Sequence, residues 1–248
     1  MDVIYTPKGR ALEYADHALN LFEGCEHGCT YCYAPSAMRR DRTEYHATAK
    51  PRKDILKRLK RDVDKFKEQD LFSKAEKKPE SVLLSFSSDP YQPIEEKVCV
   101  TRKAIELLHS VGINVQILTK GGPRAERDFD LLKSSDFFAT TMTFLDEDDS
   151  IEWEPKAATP AERIATIRKA KKIGIQTWVS LEPVISVEQT LAIIDETHEE
   201  VDLFKVGTLN HHALSKTIDW KKFRRDVEAK LKSYGKNYYL KKDLRAHG

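Results

Sequence analysis

Between residues 54 and 69 the apolar side chains Ile55, Leu59, Val63 and Phe66 recur at the spacing of one helical face, and Pro51 stands near the start. Residues 81–88 (SVLLSFSS) form instead a short apolar run of the kind a buried strand shows. The two patterns alternate along the chain. Strands are predicted at 18–22, 81–88, 113–120, 137–144, 175–183 and 202–209. Helices are predicted at 54–69, 101–112, 124–135, 160–174, 186–200 and 220–235. Gly112 closes one helix, and Pro160 and Gly174 bracket another, as helix ends prefer.

Six strand-then-helix units imply a parallel sheet with its helices outside. Right-handed crossovers curl such a sheet, so the expected fold class is α/β, a partial (β/α)6 TIM-like barrel. No Gly/Ser-rich linker or fixed-period repeat divides the chain. We expect one domain over 1–248, with a core of about 17–235 and residues 236–248 as a short C-terminal strand or tail. In such folds ligands sit on the loops after the strands. The loop at 24–35, SSDPYQP (87–93), TKGG (119–122) and LEP (181–183) therefore converge on one face.

Composition narrows the setting. The chain is 40% hydrophobic and 33% charged, with a formal net charge of only +2, so total charge points to no particular partner. No run of about 18 apolar residues is present, so no membrane association is expected. The first ten residues, MDVIYTPKGR, lack a secretory apolar stretch. Four cysteines, three of them crowded together, do not form a disulfide framework, and a reducing cytoplasm is the expected compartment.

Those three lie in GCEHGCTYCYAP (24–35) as Cys25, Cys29 and Cys32, spaced C-x3-C-x2-C. Structural zinc wants four ligands, usually from two separated knuckles, and no second knuckle exists; His27 is poorly placed to complete one. A thiol-redox pair in CTYC would leave Cys25 unexplained, and three inert cysteines in eight residues is a poor reading. A [4Fe–4S] cube normally takes four thiolates. With three, one iron keeps an open position, and an open metal site is where a substrate or cofactor binds.

C-x3-C-x2-C after the first strand of a βα barrel resembles the radical S-adenosylmethionine (SAM) superfamily. Within it, GCEHGCTYCYAP, SSDPYQPIEEK, TRKAIELL, ILTKGG, EPKAATPAERIATIRKAKKIGI and KVGTLNH resemble the group holding spore photoproduct lyase and the "DNA repair photolyases", over roughly residues 18–211. The resemblance implies a [4Fe–4S] cluster on Cys25, Cys29 and Cys32. It implies reductive cleavage of SAM to a 5′-deoxyadenosyl radical that abstracts hydrogen from substrate. An external electron donor, flavodoxin- or ferredoxin-like, goes with this chemistry. Tyr31 would pack by the cluster and adenine. Ser87, Ser88 and Asp89 stand where the superfamily binds the methionine amino group, although glycines and a glutamate are common there. Lys120 would pair with the methionine carboxylate, and Thr141 or Thr143 would contact carboxylate or ribose.

Glu182, after an apolar strand, is a candidate for holding cofactor or substrate, since a carboxylate among apolar neighbours usually has a partner or a function. Asn210, His211 and His212 follow the sixth strand and could edge the opening. Cys99, between Val98 and Val100, reads as a packed thiol rather than a hydrogen-atom donor. Residues 39–67 carry 12 Lys/Arg against 5 Asp/Glu and residues 216–248 carry 11 against 4, patches suited to a phosphate backbone. Nucleic acid is therefore a candidate substrate, in repair or modification. A radical enzyme acting on protein or small molecules, and a non-catalytic zinc-stabilised nucleic-acid-binding module, are the alternatives.

Overall fold

The computed structural model describes residues 2–67, 78–210 and 212–248. The strands are β1 (Ile4–Tyr5), β2 (Ala18–Leu19), β3 (Phe22–Glu23), β4 (Lys50–Pro51), β5 (Ser81–Leu84), β6 (Asn114–Thr119), β7 (Phe137–Thr141), β8 (Gln176–Leu181), β9 (Leu203–Val206) and β10 (Asn237–Leu240). The helices are α1 (Ala34–Ala37), α2 (Arg42–Ala47), α3 (Ile55–Lys67), α4 (Glu95–Val98), α5 (Val100–His109), α6 (Glu147–Trp153), α7 (Pro160–Lys172), α8 (Val187–Thr197), α9 (Trp220–Ser233) and α10 (Lys242–Arg245).

Eight strands form one sheet in the order β1-β2-β5-β6-β7-β8-β9-β10. Only the β1–β2 pairing is antiparallel. The two edges, β1 and β10, do not pair with each other, so the barrel is partial.

Strand alternation sorts the side chains. Val82, Ile117, Phe138, Val179 and Phe204 face outward and pack on Ile105, Ile167, Ile193 and Val227 of the surrounding helices, all with no exposed surface. Each such burial contributes roughly 1.5–3 kcal/mol. The inward row Leu118, Ala139, Trp178 and Leu203 lies in one register and fills the barrel floor. One step nearer the strand ends the inward row turns polar, with Thr141, Ser180 and Lys205 side by side. The next inward positions include Glu182 and Lys241. The functional face therefore begins where the apolar floor ends.

Two expectations are revised. The predicted strand at 18–22 divides at Asn20, whose Oδ1 accepts the amides of Phe86 and Ser87 at 2.8 and 3.0 Å and so replaces the ladder. Its second part, β3, pairs antiparallel with β4. The predicted helix at 124–135 is a run of 3-10 turns, Gly122–Leu131, with Ala125, Asp128 and Phe129 buried. The buried Ala125 and Phe129 stand four apart, a spacing that an α-helical face also shows, so the apolar pattern does not reveal the tighter turns. Of the two expectations for residues 236–248, a strand or a tail, the structure shows a strand: β10 runs parallel to β9 and is followed by α10. The end of the predicted helix at 68–69 lies outside the described residues.

The chain ends meet across the open edge. A 3-10 turn at Gly9–Glu13 docks on α10. Glu13 accepts the Tyr239 hydroxyl at 3.0 Å and the Lys242 amide at 2.7 Å, and Arg10 pairs with Asp243 at 2.9 Å.

Candidate active site

The cysteine loop starts at Gly24, whose φ of 78° suits glycine and where a Cβ would lie 2.7 Å from the Tyr45 carbonyl. That carbonyl accepts the Cys25 amide at 3.2 Å. Arg42, on the same short helix α2, donates to the Cys32 and Cys29 carbonyls at 2.7 and 3.3 Å. One turn later the His46 Nδ1 meets the Cys25 carbonyl at 2.8 Å, as its N–H tautomer donates. On the other side, Glu26 is held by Gln92 and the Ile94 amide, and Thr30 by the Trp153 carbonyl. With the backbone secured this way, all three cysteines face a cavity of about 580 Å3 at the strand ends.

The thiols are free. Burial pushes Cys25 well above the usual thiol range, helped by the Asp89 and Cys29 charges. Burial also raises Cys32, and it pushes Cys29 up to about 12 even though Lys120 pulls in the opposite direction. Among the described residues no three His, Cys, Asp or Glu side chains gather closely enough for a single metal ion. The zinc-knuckle reading needs that convergence, and the loop does not provide it.

Behind the cysteines lies a buried charged cluster that sequence reasoning missed. Glu154, just after α6, pairs with Arg163 of α7 at 2.5 Å, and neither side chain has exposed surface. The Tyr31 hydroxyl also donates to Glu154 and lies 3.3 Å from the Thr143 hydroxyl. Burial pushes Glu154 upward, but Arg163 and Lys120 outweigh it and hold the carboxyl below its usual range. Arg163 also donates to the carbonyls of Ala158 and Thr141. The Lys120 ammonium is 3.9 Å from Glu154 and 5.5 Å from the centre of the Tyr31 ring, and it faces the cavity. Burial lowers Lys120, yet Cys29 and Glu154 together raise it, so it stays charged.

The sequence-predicted residues separate by role. Tyr31, Ser88, Asp89, Lys120, Thr141 and Glu182 line the cavity with the cysteines. Thr143 is fully buried beside it and braces Tyr31. Asp89 has both oxygens engaged: Oδ1 accepts the Thr119 hydroxyl at 2.5 Å and the Tyr91 amide at 2.8 Å, and Oδ2 the Lys120 amide at 2.7 Å. It therefore shapes the loops that carry the site. His27, 3.5 Å from Asp89, is lowered to about 4 by burial first and is neutral at neutral pH. The Ser88 hydroxyl is buried without a partner. Asn210 lines the cavity, His212 packs on Trp153, and His211 lies outside the described residues. Cys99 joins α4 to α5 in a left-handed conformation and is not among the cavity residues.

The opposite wall was not visible in the sequence. Tyr14 donates to Glu182 at 2.7 Å and touches Ser180 at 3.1 Å. Lys241 pairs with the same Glu182 oxygen, its ammonium 3.8 Å above the centre of the Tyr14 ring. Gly207 makes room, because a Cβ there would lie 2.6 Å from the Glu182 carboxyl. Below them Lys205 donates to the Tyr14 carbonyl at 2.8 Å and sits 4.6 Å from the Trp178 ring centre.

A family model described as the radical SAM superfamily matches residues 19–202, which span the cysteine loop and the four parallel strands β5 to β8. The chain belongs to the radical SAM superfamily. Radical SAM proteins use a [4Fe–4S] cluster and SAM. The chain is similar to uncharacterized protein ORF301 of Acidianus two-tailed virus, 26% identical over 188 residues, covering 74% of this chain and 61% of that one. Uncharacterized protein Rv2578c of Mycobacterium tuberculosis is 27% identical over 188 residues, covering 72% and 52%. The chain thus spans half to three-fifths of the length of these relatives. In fold it is similar to a spore photoproduct lyase mutant, with a TM-score of 0.71, 13% identity and coverage of 96% of this chain and 78% of that one. Streptococcus suis SuiB bound to SAM gives a TM-score of 0.61 at 15% identity, covering 88% and 44%.

The residues present fit the radical SAM cofactors. Three free thiols face one cavity, the number that leaves a cube one open corner. Beside them lie a cavity-facing ammonium and an unpartnered buried hydroxyl, suited to the carboxylate and ammonium of an amino-acid moiety.

Proposed function

We propose that this protein is a radical SAM enzyme that abstracts hydrogen from a nucleic-acid base or sugar, in repair or modification. The observation that carries the reading is the convergence of Cys25, Cys29 and Cys32 with Lys120 and Ser88 on one cavity. Cys25, Cys29 and Cys32 would hold the cluster. When bound, the reduced cluster and SAM supply a 5′-deoxyadenosyl radical that takes a hydrogen atom from substrate. Lys120 would offer its ammonium to the methionine carboxylate, a charge-assisted contact. Ser88 offers an acceptor to the amino group. Tyr31, braced by Glu154 and Thr143, stacks against the cofactor's side of the cavity, and Thr141 lines the path to the ribose. Glu182, Lys241 and Tyr14 form the wall left for substrate.

Nucleic acid is favoured by the basic surplus of seven charges at 216–248. It is also favoured by the fold's likeness to a spore photoproduct lyase mutant solved with AdoMet and a dinucleoside spore photoproduct. The test is anaerobic reconstitution with iron and sulfide, reduction by dithionite, and quantification of 5′-deoxyadenosine with and without single-stranded DNA, duplex DNA, RNA and peptide pools. Stimulation by a nucleic acid supports the reading. Cofactor cleavage stimulated only by peptide or small molecules moves the substrate elsewhere, and absence of a four-iron centre ends the proposal.

A further inference from the structure

An electron must reach the cluster site from outside, and the cavity side is where SAM and substrate belong. The remaining approach is the outer face of the cysteine loop, covered by α1, α2 and the antiparallel pair β3–β4. This face has three features. Residues 38–54 carry six Lys/Arg against three Asp/Glu. Arg39, Arg42, Lys50 and Lys53 are exposed, and Arg39, Arg42, Arg52 and Lys53 have no carboxylate within 4.0 Å among the described residues. Met38 is 41% exposed and borders a depression of about 170 Å3 formed with Glu23, Gly24, Arg40, Tyr45 and Arg52. That depression lies directly behind Gly24, next to Cys25.

Arg42 links this surface to the ligand loop. Its exposed guanidinium donates to the Cys32 carbonyl at 2.7 Å and to the Cys29 carbonyl at 3.3 Å. A carrier docked here is separated from two of the three cysteines by one side chain and one hydrogen bond.

We propose that the surface formed by Met38, Arg39, Arg42, Lys50 and Lys53 is the docking site for an acidic one-electron carrier protein of the flavodoxin or ferredoxin class. The inference rests on the radical SAM reading above and names the face at which that chemistry is supplied. The carrier loses one electron and the cluster gains it; no bond forms or breaks, and no proton need move. Charge complementarity of this kind steers a transient encounter with a small footprint and a strong salt dependence. The basic rim supplies the steering, and the Met38 depression accepts an apolar contact at its centre.

The experiment compares the reconstituted protein with the Arg39→Glu/Lys53→Glu double variant and with Glu44→Lys, all substitutions on exposed positions. Flavodoxin binding is measured by calorimetry at two salt concentrations. 5′-Deoxyadenosine formation is driven either by reduced flavodoxin or by dithionite, which needs no docking site. The double variant should lose roughly tenfold in flavodoxin affinity and in flavodoxin-driven rate, whereas its dithionite-driven rate stays at the wild-type level. Glu44→Lys should tighten binding, and raised salt should shrink all differences. Unchanged flavodoxin binding in both variants overturns the assignment, as does a loss of nucleic-acid binding with flavodoxin binding intact, which would give the patch to substrate. Failure of dithionite-driven cleavage in the wild type would instead sink the radical SAM reading itself.

Discussion

The Glu154–Arg163 pair makes the sharpest energetic demand on this fold. Both side chains are without exposed surface, 2.5 Å apart, and the arginine retains only two carbonyl acceptors if the carboxylate is removed. Taking one partner from a buried pair leaves an uncompensated charge and costs about 3–5 kcal/mol, whereas replacing both by apolar groups of similar size is near neutral. Glu154→Met should therefore destabilise by about 3–5 kcal/mol, since Lys120 also loses its nearest carboxylate. At roughly 2–4 °C per kcal/mol for a chain of this size, the melting temperature falls by about 6–20 °C. Glu154→Met/Arg163→Met should return to within about 2 kcal/mol of wild type. Urea denaturation followed by circular dichroism, on the unreconstituted protein, gives the cycle. A single-variant loss below about 1 kcal/mol, or a double variant as unstable as the sum of the singles, would refute the reasoning.

Alanine at Cys25, Cys29 or Cys32 should abolish iron and sulfide loading and deoxyadenosine formation, while Cys99→Ala keeps both, as iron analysis will show. Lys120→Met should retain the cluster and lose roughly 10- to 100-fold in SAM affinity by calorimetry, the worth of one hydrogen bond to a charged group. Gly207→Ala should drive Glu182 off Lys241 and Tyr14, so substrate stimulation disappears while substrate-free cofactor cleavage persists. Burial, and then Lys241, lowers Lys205 to about 8 from 10.5. Between those values the unfolded chain binds the extra proton, so stability rises with pH across that window and the full cost of burial is present below it. Lys205→Met should therefore add about 2–3 kcal/mol at pH 7 and less than half of that at pH 9.5, measured by urea denaturation at each pH.

The parallel strands were legible because their apolar runs are continuous and their order in space follows their order in sequence. The cysteine loop was legible because three cysteines in eight residues stand out in any chain, and the structure turns all three to one cavity. Lys120 and Glu182 could be placed on the cavity face because each stands at the end of a predicted strand. Asp89 was placed on that face too, but its hydrogen bonds to Thr119, Tyr91 and Lys120 are a matter of tertiary packing that no spacing encodes. Glu154, Tyr14 and Lys241 escaped for the same reason. Tyr14 and Lys241 meet Glu182 only after elements 168 and 59 positions apart come together, and Glu154 meets Tyr31 across 123; its nearer partner Arg163 reaches it only once α6 and α7 have packed. Helix α2 has six residues and no apolar repeat, so its grip on the cysteine loop was invisible.

The clasp between the two chain ends has a consequence for biosynthesis. Glu13 and Lys242 are separated by 229 positions, and Tyr14 and Lys241 share one carboxylate halfway along the barrel rim. Tyr14 and Lys241 stand 168 and 59 positions from the Glu182 they share, so this wall forms only after the parallel strands between them have been made, later in synthesis than the cysteine loop. Any iron–sulfur delivery before that moment meets a more open vessel than the finished sheet presents.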